Sequence, residues 1–312
     1  MAVSTTSTNS ANLHLYYEKK LLSTLEPMLQ VYKLGKKQKL PKGMGKQVKW
    51  LRYSKINSST SALTEGTAPS EIAFTTANVT ATVAQYGQFS KVSDMLSDTA
   101  IDPVLSNLAE RFGRAMSETI EDLCIAELDA EAYIQRVNNA GSDNALVAGD
   151  VLNHKELIEA MIRQKVDYIG PHEVGDYVAV LHPACQYDLM SDSQAGSWLD
   201  VAKYVDNKPL LKGEFGKIYG IRLLSSNKMT AANNATPISI KKSYVIGEEA
   251  FGVVELNGNS QSMIIKDHKS GGVSNPLEQF ATVGYKVHGF AAKYLDASSK
   301  RVIQIRSAAA LG

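Results

Sequence analysis

The sequence predicts an α+β fold, on three observations. One long helical stripe occupies the middle of the chain, alternating β-branched stretches lie on both sides of it, and short strand-like segments punctuated by glycine fill the C-terminal half. With 312 residues, 44% of them hydrophobic, two Cys and nine Pro, the chain can bury a sizeable core in one large domain or two.

Residues 1 to 11, rich in Ser, Thr and Asn, are expected to be disordered or ordered only by a partner. Asn12 can cap a helix whose Leu15, Leu22, Leu25 and Leu29 recur at three-to-four spacing, with Pro27 kinking or splitting it. The basic linker KLGKKQKLPKGMGK follows. QVKWLRYSKI (47 to 56) and FTTANVTATVAQYGQFSKV (74 to 92) read as the two sides of a long hairpin. The first alternates Val48, Trp50 or Leu51, Tyr53 and Ile56 imperfectly, and the second carries Val79, Ala81 and Val83. The polar connection between them, with Gly66 and Pro69, is long enough to suggest a functional or partner-ordered loop.

Asp98 to Val137 carries the strongest helix signal. Asp102 caps it, Pro103 occupies the first helical position, and Leu105, Leu108, Phe112, Met116, Ile120, Leu123, Cys124, Leu128 and Ala132 form its apolar stripe. Thirty-five residues would give a rod of roughly 52 Å. Glu110, Glu118, Glu121, Asp122, Glu127 and Glu131 fall on the opposite face, where solvation is the default. Asp150 to Lys165 reads as a helix with Leu152, Leu157, Ile158 and Met161 inward. DYVAVLHP (176 to 183) reads as a buried strand ended by Pro183, and ACQYDLMSD and SWLDVAKY as short helices. Glycine-punctuated strands, the loop TAANNATP and strands at SYVIGEEAFGVVEL (243 to 256), QSMIIKDH, QFATVGYKVHGFAAKYLD and RVIQIRS complete the chain.

The formal charge is +1, from 33 Lys and Arg against 32 Asp and Glu, so the totals show no bulk attraction to nucleic acid or membrane. Distribution says more. Residues 1 to 60 hold eleven bases and two acids, 11 − 2 = +9, and residues 61 to 135 hold three bases and twelve acids, 3 − 12 = −9. Two adjacent segments of opposite sign suggest that one packs on the other, within a chain or between identical chains. Cys124 and Cys185 sit in no C-x-x-C pattern and read as buried free thiols. The N-terminus lacks a basic region followed by an apolar run, and no stretch of 18 apolar residues occurs, so neither a standard export signal nor a membrane span is expected.

LLKGEFGKIYGIRLLSSN (210 to 227) tests for a phosphate site. A P-loop needs G-x-x-x-x-G-K-[ST]; here Lys217 follows Gly216 at too short a spacing, and Ile218 replaces the hydroxyl. A dinucleotide fingerprint must open a helix, whereas Ile221 to Leu224 is strand-like. Gly213, Gly216 and Gly220 therefore read as turn glycines permitting positive φ. None of the six histidines forms a metal-binding spacing, and His182 beside Pro183 reads as a structural, hydrogen-bonded residue. No G-x-S-x-G elbow exists. Trp50 and Tyr53 among the bases of residues 33 to 55 could contact nucleic acid, but no recognised reading module is present. No cofactor, metal or enzymatic activity is expected. A basic arm, a projecting hairpin and an acidic rod point to self-assembly.

The chain resembles the major capsid proteins of tailed bacteriophages, which share the Hong Kong 97-like fold. The stretches that carry the resemblance are ANLHLYYEKKLL, LTEGTAPSEIAFTTANVTATVAQYGQFSKVSD, and LHPACQYDLMSDSQAGSWLDVAKY followed by LKGEFGKIYGIRLLSSN. It implies an N-terminal arm (1 to 40), an extended loop (41 to 92), a peripheral domain with a long spine helix (93 to 144), an axial domain (145 to 240) and C-terminal strands returning to the peripheral domain (241 to 312). It implies pentamers and hexamers of an icosahedral virion shell around double-stranded DNA, assembled in the host cytoplasm, with scaffolding, portal and decoration proteins as possible partners and non-specific contact with the packaged DNA. Lys33, Lys36, Lys37, Lys39, Trp50, Tyr53, Glu65 and Ile72 become the expected inter-subunit contacts, with Trp50 and Ile72 gaining burial only on assembly. The arm begins too early to leave room for a cleaved scaffolding region, so a separate scaffold, or none, is expected. The family's lysine-to-asparagine cross-link falls on no matching positions, which implies a noncovalent shell. An encapsulin-like compartment, a viral decoration or tail protein and a nucleotide-dependent enzyme using residues 210 to 227 are the alternatives.

Overall fold

The computed structural model describes residues 29–54, 56, 58–100, 103–172, 175–192, 213–229, 231–232, 238–256, 261–270 and 275–309. The helix expected to start at Asn12, the Asp102 cap and the helix at SWLDVAKY lie outside these residues.

In chain order the elements are α1 (Val31–Leu34), β1 (Lys36–Leu40), β2 (Gln47–Tyr53), β3 (Thr76–Thr82), β4 (Ala84–Ser93), α2 (Asp94–Thr99), α3 (Val104–Glu131), β5 (Tyr133–Arg136), α4 (His154–Val166), β6 (Tyr177–Leu181), α5 (Pro183–Ser191), β7 (Glu214–Ile218), β8 (Ile221–Ser225), β9 (Ala231–Ala232), β10 (Ile240–Ile246), β11 (Phe251–Leu256), β12 (Gln261–Lys266), β13 (Phe280–Tyr294) and β14 (Val302–Ala308). Among the described residues they form two large sheets and a separate hairpin, β2–β3. In the five-stranded sheet, β13 pairs antiparallel with β4 along one edge and with β12 and β11 along the other, and β1 adds parallel to β11. The seven-stranded sheet runs β5-β14-β10-β6-β8-β7, with β9 on β10.

Helix α3 has 28 residues, about 42 Å at 1.5 Å per residue, shorter at both ends than the sequence suggests. Upstream, residues 94–99 form the separate helix α2, capped by the Ser93 hydroxyl, which accepts from Leu96 N–H, and α3 begins after Pro103. At its other end Ala132 is extended, and Tyr133–Arg136 become a strand parallel to β14. The aromatic and β-branched character of this tail suits a strand, and sheet pairing wins over the helical period.

The expected stripe is rotated as well as shortened. Residues buried along α3 are Ala109, Gly113, Met116, Ser117, Ile120, Glu121, Cys124, Ile125 and Leu128, whereas Leu105, Leu108, Phe112 and Leu123 are half-buried. The core they enter includes Tyr285, Val287, Phe290 and Tyr294 of β13 and Phe251 and Val253 of β11. Each such side chain contributes about 1.5–3 kcal/mol when fully buried. A second core, under α4 and α5, gathers Leu152, Leu157, Leu181, Leu189, Leu223, Ile303 and Ile305.

Three further expectations are corrected. The stretch 74 to 92 is two strands: β3 stays with β2, and β4 departs after Val83 to join β13. Residues 243 to 256 split between sheets, because the chain turns at Gly247–Ala250, with Glu249 at φ 46°, and crosses from β10 to β11. Helix α4 starts at His154, where the Asn153 side chain accepts Glu156 N–H at 3.1 Å, rather than at Asp150. Strands β5, β10 and β14, from well-separated parts of the chain, all lie in the seven-stranded sheet. The strand at 177–181 is fully buried, Pro183 opens the helix that follows, and His182 Nδ1 accepts Ala184 N–H at 3.1 Å, as the sequence suggests. Both cysteines are free and buried.

Met116 is fully buried against the β13 core. Met116→Ala should lower the unfolding free energy by about 2–5 kcal/mol, read from the denaturant midpoint.

Candidate functional site

Two features carry the residues singled out in the sequence: the hairpin β2–β3 with its connecting loop, and residues 29–40, the root of the arm expected from the sequence.

The hairpin pairs Gln47 with Thr82 through Tyr53 with Thr76. Alternation along β2 separates its faces. Val48, Trp50 and Arg52 are half-buried, whereas Lys49, Leu51 and Tyr53 are exposed. The first face is anchored to its own chain. Trp50 lies over Gly252 so closely that a Cβ there would sit 2.6 Å from Trp50 Cζ2, Val48 and Trp50 pack on Leu40, Ala81 and Val254, and Arg52 pairs with Asp296. The expectation that Trp50 is buried only on assembly is therefore corrected, because glycine at 252 opens a slot for the indole within the chain. Beyond the strands, Ser54 and Thr75 close the loop by a 2.9 Å bond from Ser54 N–H to the Thr75 carbonyl, and the Tyr53 and Phe74 rings approach to 6.2 Å. Ile56, Leu63, Ile72 and Phe74 are 57 to 75% exposed, and Glu65 is exposed among them.

The arm root is held by a buried carboxylate. Glu121, 1% exposed on α3, accepts the backbone N–H of Gln30 and Val31 on Oε1 at 3.0 and 2.7 Å, and that of Tyr32 on Oε2 at 3.1 Å. Its carboxyl is held above the ordinary carboxylate range by burial, against the opposing pull of these three donors and of Lys33. Tyr32 donates its hydroxyl to Glu255, and burial pushes its pKa well up. His172 Nε2 donates to the Leu34 carbonyl at 3.0 Å, and Lys36 pairs with Glu249. Residues 32–36 thereby reach α3, both sheets' connecting segments and β11.

Lys36, Lys37 and Lys39 lie exposed on β1, an edge strand where charge discourages further strand pairing. Lys37 Nζ stands 4.7 Å from the Tyr32 ring centroid, and Lys33 is exposed on α1. These four lysines share one region, while Glu65 and Ile72 lie out on the loop and Tyr53 faces away from Trp50. The opposite-sign packing expected from sequence takes an unexpected form. The arm meets α3 through backbone N–H groups on Glu121, and four other helix acids are paired by lysines from later in the chain: Glu118 and Asp122 by Lys228 at 3.1 and 3.4 Å, Asp129 by Lys242 at 2.9 Å, and Glu127 by Lys293. Glu121 reads as a surface acid, yet its four-residue spacing from Ser117 and Ile125 places it on the buried stripe, a signal that could have found it.

The glycine-rich stretch forms β7 and β8. Gly213 and Gly220 take φ of 90° and 84° at turns, as expected, while Gly216 lies within β7 beside a register shift. Lys217 pairs with Asp176 at 2.7 Å, and Arg222 spans Asp176 and Glu214, both at 3.0 Å, so these cations are committed to ion pairs.

This arrangement, an elongated helix-backed sheet with a second sheet and an outlying hairpin, is the Hong Kong 97-like capsid fold. The phage capsid protein family profile matches residues 76–299. The chain belongs to the phage capsid protein family. Solved structures agree at low identity. The capsid of Ralstonia phage GP4 has TM-score 0.68 and 15% identity over 88% of this chain and 87% of that one. The capsid of cyanophage P-SCSP1u has 0.64 and 15% over 89% and 88%, and that of a native GTA particle 0.58 and 10% over 89% and 90%. No curated protein sequence matches the chain.

Two substitutions test the anchors. Glu121→Ala leaves buried N–H donors without an acceptor, which should cost about 1–3 kcal/mol and speed tryptic cleavage after Lys33, Lys36 and Lys37. Gly252→Ala should displace Trp50 toward water, seen as a red shift in tryptophan emission.

Proposed function

We propose that the chain is the major capsid protein of a tailed phage, forming pentamers and hexamers of an icosahedral shell that encloses double-stranded DNA and is held by noncovalent contacts. It is a structural protein of the virion, assembled in the host cytoplasm, with scaffolding, portal and decoration proteins as potential partners and no enzymatic step. The seven-stranded sheet is the module that meets its copies at capsomer axes, and the sheet built on β13 with α3 is the peripheral one.

One observation carries this reading beyond family membership. The loop between β2 and β3 extends Ile56, Leu63, Ile72 and Phe74 into solvent, and a loop that buries none of its large apolar side chains gains about 25 cal/mol per Å² when a second copy covers them. Contacts of this kind, repeated by rotation, close rings. Lys33, Lys36, Lys37, Lys39, Tyr53, Glu65 and Ile72 supply the contacts of arm and loop, with Trp50 holding the hairpin root at the right angle rather than reaching across.

Electron cryo-microscopy of the expressed protein should show discrete shells, and denaturing gels should show one band at the monomer mass. Ile72→Asp should leave the fold unchanged, because the side chain is exposed, and reduce the assembled fraction. A stable monomer under all conditions rejects the proposal, and a ladder of high-mass bands rejects its noncovalent part.

A further inference from the structure

Patches of opposite sign lie beyond the two ends of strand β4. Where β4 begins, Val83 N–H donates to the Lys46 carbonyl at 3.0 Å, and Lys42, Lys46 and Lys49 are exposed beside Met44 and Leu51, 70 and 54% exposed. None of the three lysines has an acidic partner among the described residues. Where β4 ends, α2 carries Asp94 and Asp98 with Met95 and Leu96, 73 and 49% exposed. No side chain of α2 is buried. A six-residue helix is too short to persist on propensity, and this one has no packed face within its own chain.

The two patches are about 30 Å apart, from ten residues of β4 at ~3.3 Å each. That exceeds the ~8 Å screening length at physiological salt several-fold. Pairing of β4 with β13 along its whole length fixes the separation, so the patches cannot neutralise one another within one chain.

We propose that the Lys42–Lys46–Lys49 patch of one copy receives the α2 helix of a second copy, Asp94 and Asp98 meeting the lysines while Met44 and Leu51 cover Met95 and Leu96. This rests on the assembly reading above and specifies a contact within it. Each patch mixes apolar side chains with a single sign of charge, and each supplies what the other lacks. A phosphate backbone would satisfy the lysines but leave Met44 and Leu51 in water. Different surfaces beyond the opposite ends of β4 make the contact heterologous, head to tail, which closes into a ring when the rotation permits.

The test uses the full chain with three variants: Lys42→Glu/Lys46→Glu/Lys49→Glu, Asp94→Lys/Asp98→Lys, and all five substitutions together. The substituted side chains are exposed, and unchanged thermal unfolding verifies the fold. Each reversal alone should lower the assembled fraction about ten-fold or more by sedimentation. The five-substitution chain, again complementary to itself, should return to within about two-fold of the unsubstituted protein, and assembly of the latter should weaken with added salt. The inference is overturned if the single reversals assemble normally or if combining them restores nothing. A lysine variant that assembles normally but retains less DNA overturns it in favour of a phosphate-binding patch. Failure of the unsubstituted chain to form any particle rejects the assembly reading itself and is seen before any variant is made.

Discussion

The fold depends on matching one long strand to one long helix. Helix α3 spans about 42 Å, and only a strand of comparable length can cover it; the fifteen residues of β13 reach about 50 Å. A regular strand of this length must keep one parity of residues toward the helix, and β13 does not. Tyr285 and Val287 enter the core before Gly289, and Phe290 and Tyr294 enter it afterwards. The switch occurs at a register shift between His288 and Phe290, where Gly289 adopts φ 75°. One inserted residue thus changes the parity and lets a twisting strand stay aligned with the helix. A β-carbon at 289 would meet the Leu256 side chain as well as the wrong φ, so glycine is required there twice over.

The helix shares an apolar core with the seven-stranded sheet, which contributes Val178, Val180, Leu224 and Ile246, and polar contacts add to it. Asp129 accepts from Lys242 Nζ, Tyr244 hydroxyl and Gln304 Nε2, bringing β10 and β14 to the end of α3. Burial and this carboxylate push the Tyr244 pKa well above its ordinary value, so the hydroxyl remains a donor throughout the accessible pH range. Hydrogen bonds with an ionised acceptor are directional and roughly twice as strong as neutral ones, which fixes an angle between modules better than interchangeable apolar contacts do.

Local chemistry was legible in the sequence and partner choice was not. The hydrogen-bonded His182, the Pro183 helix start, the fully buried 177–181 strand and the turns at Gly213 and Gly220 follow from residue types within a few positions of each other. The failures involve distant partners. Nothing in SYVIGEEAFGVVEL states that its halves belong to different sheets, because both are equally strand-like and only the short GEEA turn separates them. Tyr133–Arg136 continues a helical period until β14, some 170 residues later, claims it. For the candidate site, the exposed apolar loop was legible from its length and polarity, but the burial of Trp50 was not, since Gly252 lies about 200 positions away. Glu121 was misassigned because charge was weighed before position on the stripe.

The same separation bears on how a capsid subunit can be stable yet incomplete. Two cores close over the sheets without any residue of the 54–75 loop, so the body has no need of the loop to fold. The loop in turn is aimed by groups that do belong to the body: Trp50 seated on Gly252, Arg52 on Asp296, and Val48 against Val254. Aim and reach are thereby divided between the two faces of one strand, because β2 turns alternate side chains inward and outward. A shell needs its contacts individually weak enough for errors to reverse, and collectively strong through repetition. Under the proposed assembly, a hairpin fixed at its root and exposed at its tip would meet both demands, since its geometry is set within the chain while its apolar burial would await a second copy.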